Sequence, residues 1–348
     1  MRISIIGAGP AGCIAALHSK GHDVTVYEEH GKQPVQCAGL ISISGMERLG
    51  IKPEFLNKVS GAKIYSPSKK LLEIKADKDK AYVVDRQKFD EDLLNSAIDS
   101  GIEFINERVD DLNNLKADKI VLATGTNYQL HRKLNLGMPG KFLFGAQYDL
   151  KLDCDPDFVE LHFNVPGFFS WIIPAGDYCR VGLCARENPT TWLDKFVKEL
   201  RQEGRIKNSK ILNKNYGTIP LYNPRLKTDY GKFITLGDAA GHVKATTGGG
   251  VVMGGLAARH ACKKDYEKLW RAEIGRELRL HLLVRNFLDK LSSKNTDRLF
   301  SMVSDHKDSL EKRGDMDLAS VSLSSLFRNP SFTFRLLLNS PFFLLDMF

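Results

Sequence analysis

Three glycines and one acid near the start of the chain have the types and spacing to bind a dinucleotide. Gly7, Gly9 and Gly12 form G-x-G-x-x-G directly after the apolar run of Ile3, Ile5 and Ile6, and Ala15, Ala16 and Leu17 carry a helix onward. The glycines divide the work into a tight turn, close backbone approach to a pyrophosphate, and close helix-to-strand packing. Amides at the helix start then face the phosphates. Val24, Val26 and Tyr27 read as the next strand, and Glu28 ends it 16 residues after Gly12, placed to accept hydrogen bonds from ribose hydroxyls.

Three later segments point to FAD held tightly, in preference to NAD used as a diffusing cosubstrate. Ala123, Thr124 and Gly125 close a strand, and G-D-A-A-G at 237–241 follows another, putting Asp238 where an acid meets the ribityl or pyrophosphate part of FAD. T-T-G-G-G at 246–250 opens a helix. Its amides, carrying about half a positive charge, would point at the pyrimidine side of the isoalloxazine and stabilise an anionic reduced flavin. No second G-x-G-x-x-G with strand and acid follows, so a dedicated NAD(P)H domain is not expected. Electrons must then come from a transient donor.

The stretch P-G-F-F-S-W-I-I-P-A-G-D at 166–177 raises a different chemistry. Two phenylalanines, a tryptophan and two isoleucines between prolines make either ordinary core or the wall of an apolar binding site.

The surrounding elements are legible from periodicity. Residues 62–84 read as short strands, and in the helix that follows, Phe89, Leu93, Ala97 and Ile98 share one face, with Gly101 as a natural C-cap. Residues 142–184 alternate as strands of a second, antiparallel sheet. Pro189 opens a helix with Trp192, Phe196, Val197 and Leu200 on its apolar face, and the last 75 residues read as helical. The apolar ending S-F-T-F-R-L-L-L-N-S-P-F-F-L-L-D-M-F, interrupted at Arg335, Asn339 and Pro341, is either a tail packed on the domain or an interfacial membrane anchor; packing is the safer reading.

Length and composition bound the rest. A chain of 348 residues exceeds what one core sustains, so two domains are expected. A net charge of +8 favours acidic partners, although the basic residues are dispersed and no nucleic-acid-binding signature is present. The six cysteines show no C-x-x-C pair and no metal-ligand spacing, which fits a reducing compartment and no metal site. No signal peptide is read at the N-terminus, and no run reaches the roughly 18 apolar residues of a spanning helix.

Taken in order, these motifs resemble the geranylgeranyl reductase family of flavoproteins, particularly its archaeal members that saturate the isoprenoid chains of membrane ether lipids. The resemblance runs from residue 3 to about residue 262. It rests on G-A-G-P-A-G at 7–12, P-V-Q-C-A-G at 34–39, G-A-K-I-Y-S-P at 61–67, V-D-R-Q-K-F-D at 84–90, G-D-A-A-G with T-G-G-G, and the F-S-W-I-I-P run at 169–174.

The resemblance implies an α/β fold with a Rossmann-like FAD-binding domain of the p-hydroxybenzoate hydroxylase and glutathione reductase type. That domain would be built from 1–60, 80–140 and 215–275, with an antiparallel-sheet substrate domain from 61–79 and 141–214 and a C-terminal helical region from 276–348. It further implies FAD contacts at Gly7, Gly9, Ala11, Gly12, Glu28, Cys37, Ala38, Arg86, Ala123, Asp238, Gly249, Gly250 and Val251. Phe169, Trp171 and Ile173 would line a polyprenyl tunnel. The implied activity is hydride transfer from reduced flavin to an isolated alkene together with a proton, from Cys37, His242 or water. Cys37 is the candidate catalytic residue. The implied partners are a prenylated lipid, a transient donor such as a ferredoxin-like protein or NAD(P)H, and the anionic inner face of the cell membrane, which places the protein in the cytoplasm at that surface.

Two departures from the family pattern alter charge near the FAD: Ala123-Thr124-Gly125 where relatives often carry A-D-G, and Lys244-Ala245 where they often carry a D-P pair. The rival enzyme is a flavin monooxygenase or halogenase, since F-S-W-I-I-P resembles the halogenase W-x-W-x-I-P with Phe169 in place of the first tryptophan. A lipid-binding protein that keeps FAD only for structure is the non-enzymatic alternative.

Overall fold

The computed structural model describes residues 1–30 and 37–347, so Pro34, Val35 and Gln36 of the cysteine motif lie outside the described residues. Three sheets organise the described residues. The first has six strands in the order Asp229–Tyr230, Phe233–Thr235, Lys119–Leu122, Arg2–Ile6, Asp23–Tyr27 and Glu103–Ile105. All its pairings are parallel except the edge pair of Asp229–Tyr230 with Phe233–Thr235. Ile3, Ile5, Val26, Ile120, Val121 and Leu122 are buried, as strands covered on both faces require. The helices Pro10–Leu17, Arg86–Asp99, Val251–Ala258 and Tyr266–Leu288 share its larger core.

The second sheet has seven strands in the order Ile206–Pro220, Phe142–Leu152, Cys179–Ala185, Phe168–Pro174, Phe158–Val165, Gly61–Tyr65 and Leu71–Lys75. One pairing departs from the antiparallel expectation: Gly61–Tyr65 runs parallel to Phe158–Val165. It can do so because the long connection between them passes through the nucleotide domain, whereas neighbouring hairpin strands must be antiparallel. Leu40–Ser42, Ala81–Val83 and Asn57–Val59 form a small third sheet between the other two.

The helix Pro189–Gln202 covers one face of the seven-stranded sheet with Leu193, Phe196, Val197 and Leu200, which pack on Tyr148, Ile172, Val181 and Leu183. Trp192, half-buried, packs against the same cluster as expected, and Leu193 joins the face because it stands three, four and seven residues before the other three. In the helix Arg86–Asp99, Phe89, Leu93 and Ala97 are buried at four-residue spacing, but Ile98 is turned to solvent, 39% exposed. Gly101 follows the Ser100 cap with φ +92.

Past the long helix Tyr266–Leu288, the chain forms Ser293–Ser304, Lys307–Arg313, Ala319–Phe327 and Pro330–Leu345. The expected interruption at Pro341 does not break the last helix. Pro341 has no N–H for the Leu337 carbonyl, and the Ser340 hydroxyl donates to that carbonyl at 2.7 Å instead.

Candidate active site

The first strand delivers the chain into the glycine turn at its C-terminal end. Gly7 has φ +107, and a Cβ there would overlap the Ala123 carbonyl oxygen; a Cβ on Gly12 would overlap the Gly7 carbonyl. Around Gly9, by contrast, the space is open for 4 Å. Gly12 is thus a packing glycine that holds helix to strand, while Gly7, Gly9 and Ala11 line a cavity of about 1570 Å³. Gly9 caps the helix Pro10–Leu17 without a side-chain hydrogen bond, leaving that helix start open toward the cavity. Glu28 stands at the rim, with Oε2 accepting from the Ala8 amide at 2.8 Å and Oε1 from the His30 amide at 3.1 Å.

A second helix start opens on the same cavity. Gly250 caps Val251–Ala258, again with no side-chain hydrogen bond, and Gly249, Gly250 and Val251 line the space. A Cβ on Gly250 would stand 2.6 Å from Asp238 Oδ1, so the glycine leaves that carboxylate its place beside the helix start. Two uncapped helix starts, a close-approach glycine turn and an acid at the strand end fit FAD: amides at the helix starts would hold its pyrophosphate and favour an electron-rich flavin edge.

Cys37, Arg86 and Asp238 face the cavity together. Arg86 donates from Nε and Nη2 to both oxygens of Asp90 at 2.9 Å. Burial would lower its guanidinium, but the Cys37 sulfur and the Asp90 carboxylate beside it win and raise it. Arg86 therefore stays a cation. Asp238 is pushed up to about 6 by burial, against the opposing pull of Arg86. The Gly39 amide donates to Cys37 Sγ at 3.3 Å. Arg180, from the large sheet, donates to the Ala38 and Val84 carbonyls at 2.9 Å each and so fastens the turn that carries Cys37. Sequence reasoning missed Arg180, since only its strand partner positions reveal what it reaches.

The opposite wall is the uncovered face of the seven-stranded sheet. Along Phe168–Pro174, Phe169, Trp171 and Ile173 line the cavity while Ile172 packs under the helix, which is strand alternation. The Phe169 ring stacks on Phe168 at 4.2 Å between centroids, and Trp171 Nε1 donates to Gln147 Oε1 at 3.2 Å. Trp171 lies over Gly182, where a Cβ would stand 2.6 Å from its Cζ2. Leu161, Ile64 and Ile219 extend the apolar surface onto neighbouring strands, and Cys184 is a buried thiol within it, raised to about 12 by burial.

Two expectations about histidines and lysine change. His242, expected as a possible proton source, is fully buried against Trp270 with ring centroids 4.4 Å apart and does not line the cavity. Burial, then the Arg271 cation, hold it down at about 3, so it stays neutral in the core. Lys244 does line the cavity, but it is ion-paired to Asp317 and donates to the Met316 carbonyl at 3.0 Å. Asp317 also accepts from Ser42, and its carbonyl meets His281 Nε2 at 3.1 Å. Burial would raise the Asp317 carboxyl, and the Lys244 ammonium overrides it and lowers it. His281 is thus a member of this buried network, which fastens residues 314–317 over the cavity. Lys244 was visible as a departure from the family pattern; Asp317 carried no signal, because its partner is 73 residues away.

A family model described as pyridine nucleotide-disulphide oxidoreductase matches residues 1–155. An uncharacterized protein of Methanocaldococcus jannaschii is 32% identical over 93% of this chain and 94% of that one. A digeranylgeranylglycerophospholipid reductase of the same organism is 26% identical over 89% of this chain and 92% of its own. A geranylgeranyl bacteriochlorophyll reductase-like structure from Thermoplasma acidophilum superposes with a TM-score of 0.80 at 20% identity, covering 96% of this chain and 98% of that one. A flavin-dependent halogenase superposes at 0.66 and 19% identity over 95% of this chain and 76% of that one, a likeness of fold alone.

Fold, cradle and relatives together define an FAD-binding flavoprotein oxidoreductase. The chain belongs to the geranylgeranyl reductase family.

Proposed function

We propose that the protein saturates C=C bonds in geranylgeranyl chains of a polar membrane lipid, using electrons delivered to its FAD by a transient donor such as a ferredoxin-like protein or NAD(P)H. The observation that carries this reading is that the FAD cradle and the apolar sheet face open into one cavity. Its volume of about 1570 Å³ exceeds the about 300–1,000 Å³ of ordinary ligand sites, leaving room for a second, apolar ligand beside the cofactor.

An isolated trisubstituted alkene has no carbonyl to accept charge, so its reduction needs hydride at one carbon and a proton at the other. When bound, reduced FAD supplies the hydride. The chain's residues supply the rest. Phe169, Trp171 and Ile173 hold the alkene and keep water away. Cys37, on the turn fastened by Arg180, presents Sγ to the cavity as the proton source, and Arg86 stands beside it to balance the thiolate left behind.

The test is anaerobic. The FAD-loaded protein is reduced with dithionite and mixed with geranylgeranylated phospholipid, and the expected result is flavin reoxidation with product mass gains in hydrogen pairs. Flavin that stays reduced until oxygen is admitted would bring the monooxygenase or halogenase reading forward. Cys37→Ser retaining full turnover would remove the thiol from the mechanism.

A further inference from the structure

The helix Pro330–Leu345 has two apolar faces, and the fold uses only one. Phe332 and Phe343 enter a cluster with Met302 and Leu326. On the outer face Phe334, Leu337, Leu338, Phe342 and Leu345 are between 43% and 77% exposed, at spacings of three and four residues that align them in one stripe. Contiguous apolar surface of this kind marks a docking site when something covers it.

Two features select the occupant. The stripe consists of Phe and Leu, residue types that make the apolar face of a helix lying in a bilayer interface. The helix carries a single charge, Arg335, which is drawn aside to Asp305. The charges around the stripe are also sorted. Asp346 is held by Ser292 and Asn295, and Asp305 by Arg335, so these acids are satisfied within the protein. Lys290, Lys294 and Arg328 are exposed at either end with no acidic partner among the described residues, and Arg298 sits 3.8 Å over the Phe342 ring. An apolar stripe flanked by outward cations complements an anionic bilayer surface. Sixteen residues make a rod about 24 Å long, suited to lying in the interface, and no helix among the described residues is long and apolar enough to cross a membrane.

We propose that the outer face of Pro330–Leu345 docks this protein on an anionic phospholipid surface, with Phe334, Leu337, Leu338 and Leu345 entering the acyl boundary and Lys294 and Arg328 meeting headgroup phosphates. Leu310, Gly314 and Met316, earlier in the same C-terminal region, line the cavity. The proposal rests on the surface and stands apart from the substrate assignment.

The experiment is flotation of the FAD-loaded full chain with vesicles of mixed phosphatidylcholine and phosphatidylglycerol, compared with phosphatidylcholine alone. The wild type is expected to float with the anionic vesicles and to be released by high salt. Phe334→Glu with Leu338→Glu should weaken partition by more than about tenfold, and Lys294→Glu with Arg328→Glu should abolish the preference for anionic lipid while leaving the melting temperature unchanged. Both variants should keep wild-type turnover of a detergent-dispersed prenyl substrate, which separates loss of docking from loss of the site. A wild type that stays soluble, or variants that float as it does, would overturn the proposal. So would a wild-type dimer that the Glu pair converts to monomer with vesicle binding unchanged, since the stripe would then face a second copy.

Discussion

On the nucleotide side of the cavity, Gly7 and Gly12 are dictated by carbonyl oxygens that leave no place for a Cβ. On the sheet side, Trp171 rests on Gly182 and is steered by one hydrogen bond to Gln147, with side chains doing the shaping. The first surface is set at Gly7 and Gly12 by backbone geometry that tolerates no side chain there; the second is set by packing and can be remodelled. A cofactor that stays needs the first kind of wall. A long apolar substrate that enters and leaves is served by the second.

The largest break in this comparison should come from Gly12→Val. Its side chain would drive into the Gly7 carbonyl, and the protein should purify without FAD and lose more than about 3 kcal/mol of stability. Trp171→Ala should instead retain full flavin stoichiometry and lose turnover of long prenyl chains. Visible spectra of the two purified proteins decide this; a yellow Gly12→Val protein would show that the cradle is more forgiving than its geometry indicates.

Next in size is the tie that closes the cavity. Lys244→Met leaves Asp317 charged and unpaired in the interior, at a cost of about 3–5 kcal/mol, whereas Lys244→Met combined with Asp317→Leu should recover most of that loss. Denaturant melts of the single and double variants measure both. A single variant as stable as wild type would mean that residues 314–317 are held by packing alone.

Gly182→Ala sharpens the contrast from the sheet side. The added methyl pushes the indole into the cavity, costing about 1–3 kcal/mol, and should raise KM for the prenyl substrate while FAD affinity is unchanged. A rise in the FAD dissociation constant of similar size would show the two walls to be coupled.

The smallest effect is in pH. His242 falls from an ordinary 6.5 to about 3 on folding, so the unfolded chain binds more protons in that window and stability declines as pH drops below 6.5. Its share should be about 1 kcal/mol between about pH 7 and 5.5, and His242→Phe should flatten the profile by that amount. On the sheet side, Glu160 goes from 4.5 to about 2: burial would raise it, but hydrogen bonds from His162 and Arg205 lower it. Its contribution is complete above pH 4.5 and is lost only as pH falls toward 2. The His242 loss should therefore appear at higher pH than the Glu160 loss, against a partial offset from Asp238, and wild-type and His242→Phe profiles that coincide between about pH 7 and 5.5 would contradict this.

Much of this was readable in advance where a local rule applies. The glycine turn, Glu28 at its strand end, the Gly249–Gly250 helix start and the Phe169, Trp171, Ile173 alternation are patterns within a few residues, each with a backbone reason. The errors fell where neighbours distant in sequence decide. Ile98 turned to solvent, and His242 withdrew behind Trp270, because facing and burial depend on what packs opposite.

The sequence by itself determined the nucleotide cradle and the apolar strand, since turn geometry, helix starts and two-residue alternation are written in adjacent residues. Only the tertiary structure decided that cradle and strand share one cavity, that Arg180 fastens the Cys37 turn, and that Lys244 finds Asp317. Those contacts join segments tens to hundreds of residues apart, and their energies come from burial and charge pairing that exist only once the sheets have closed on each other.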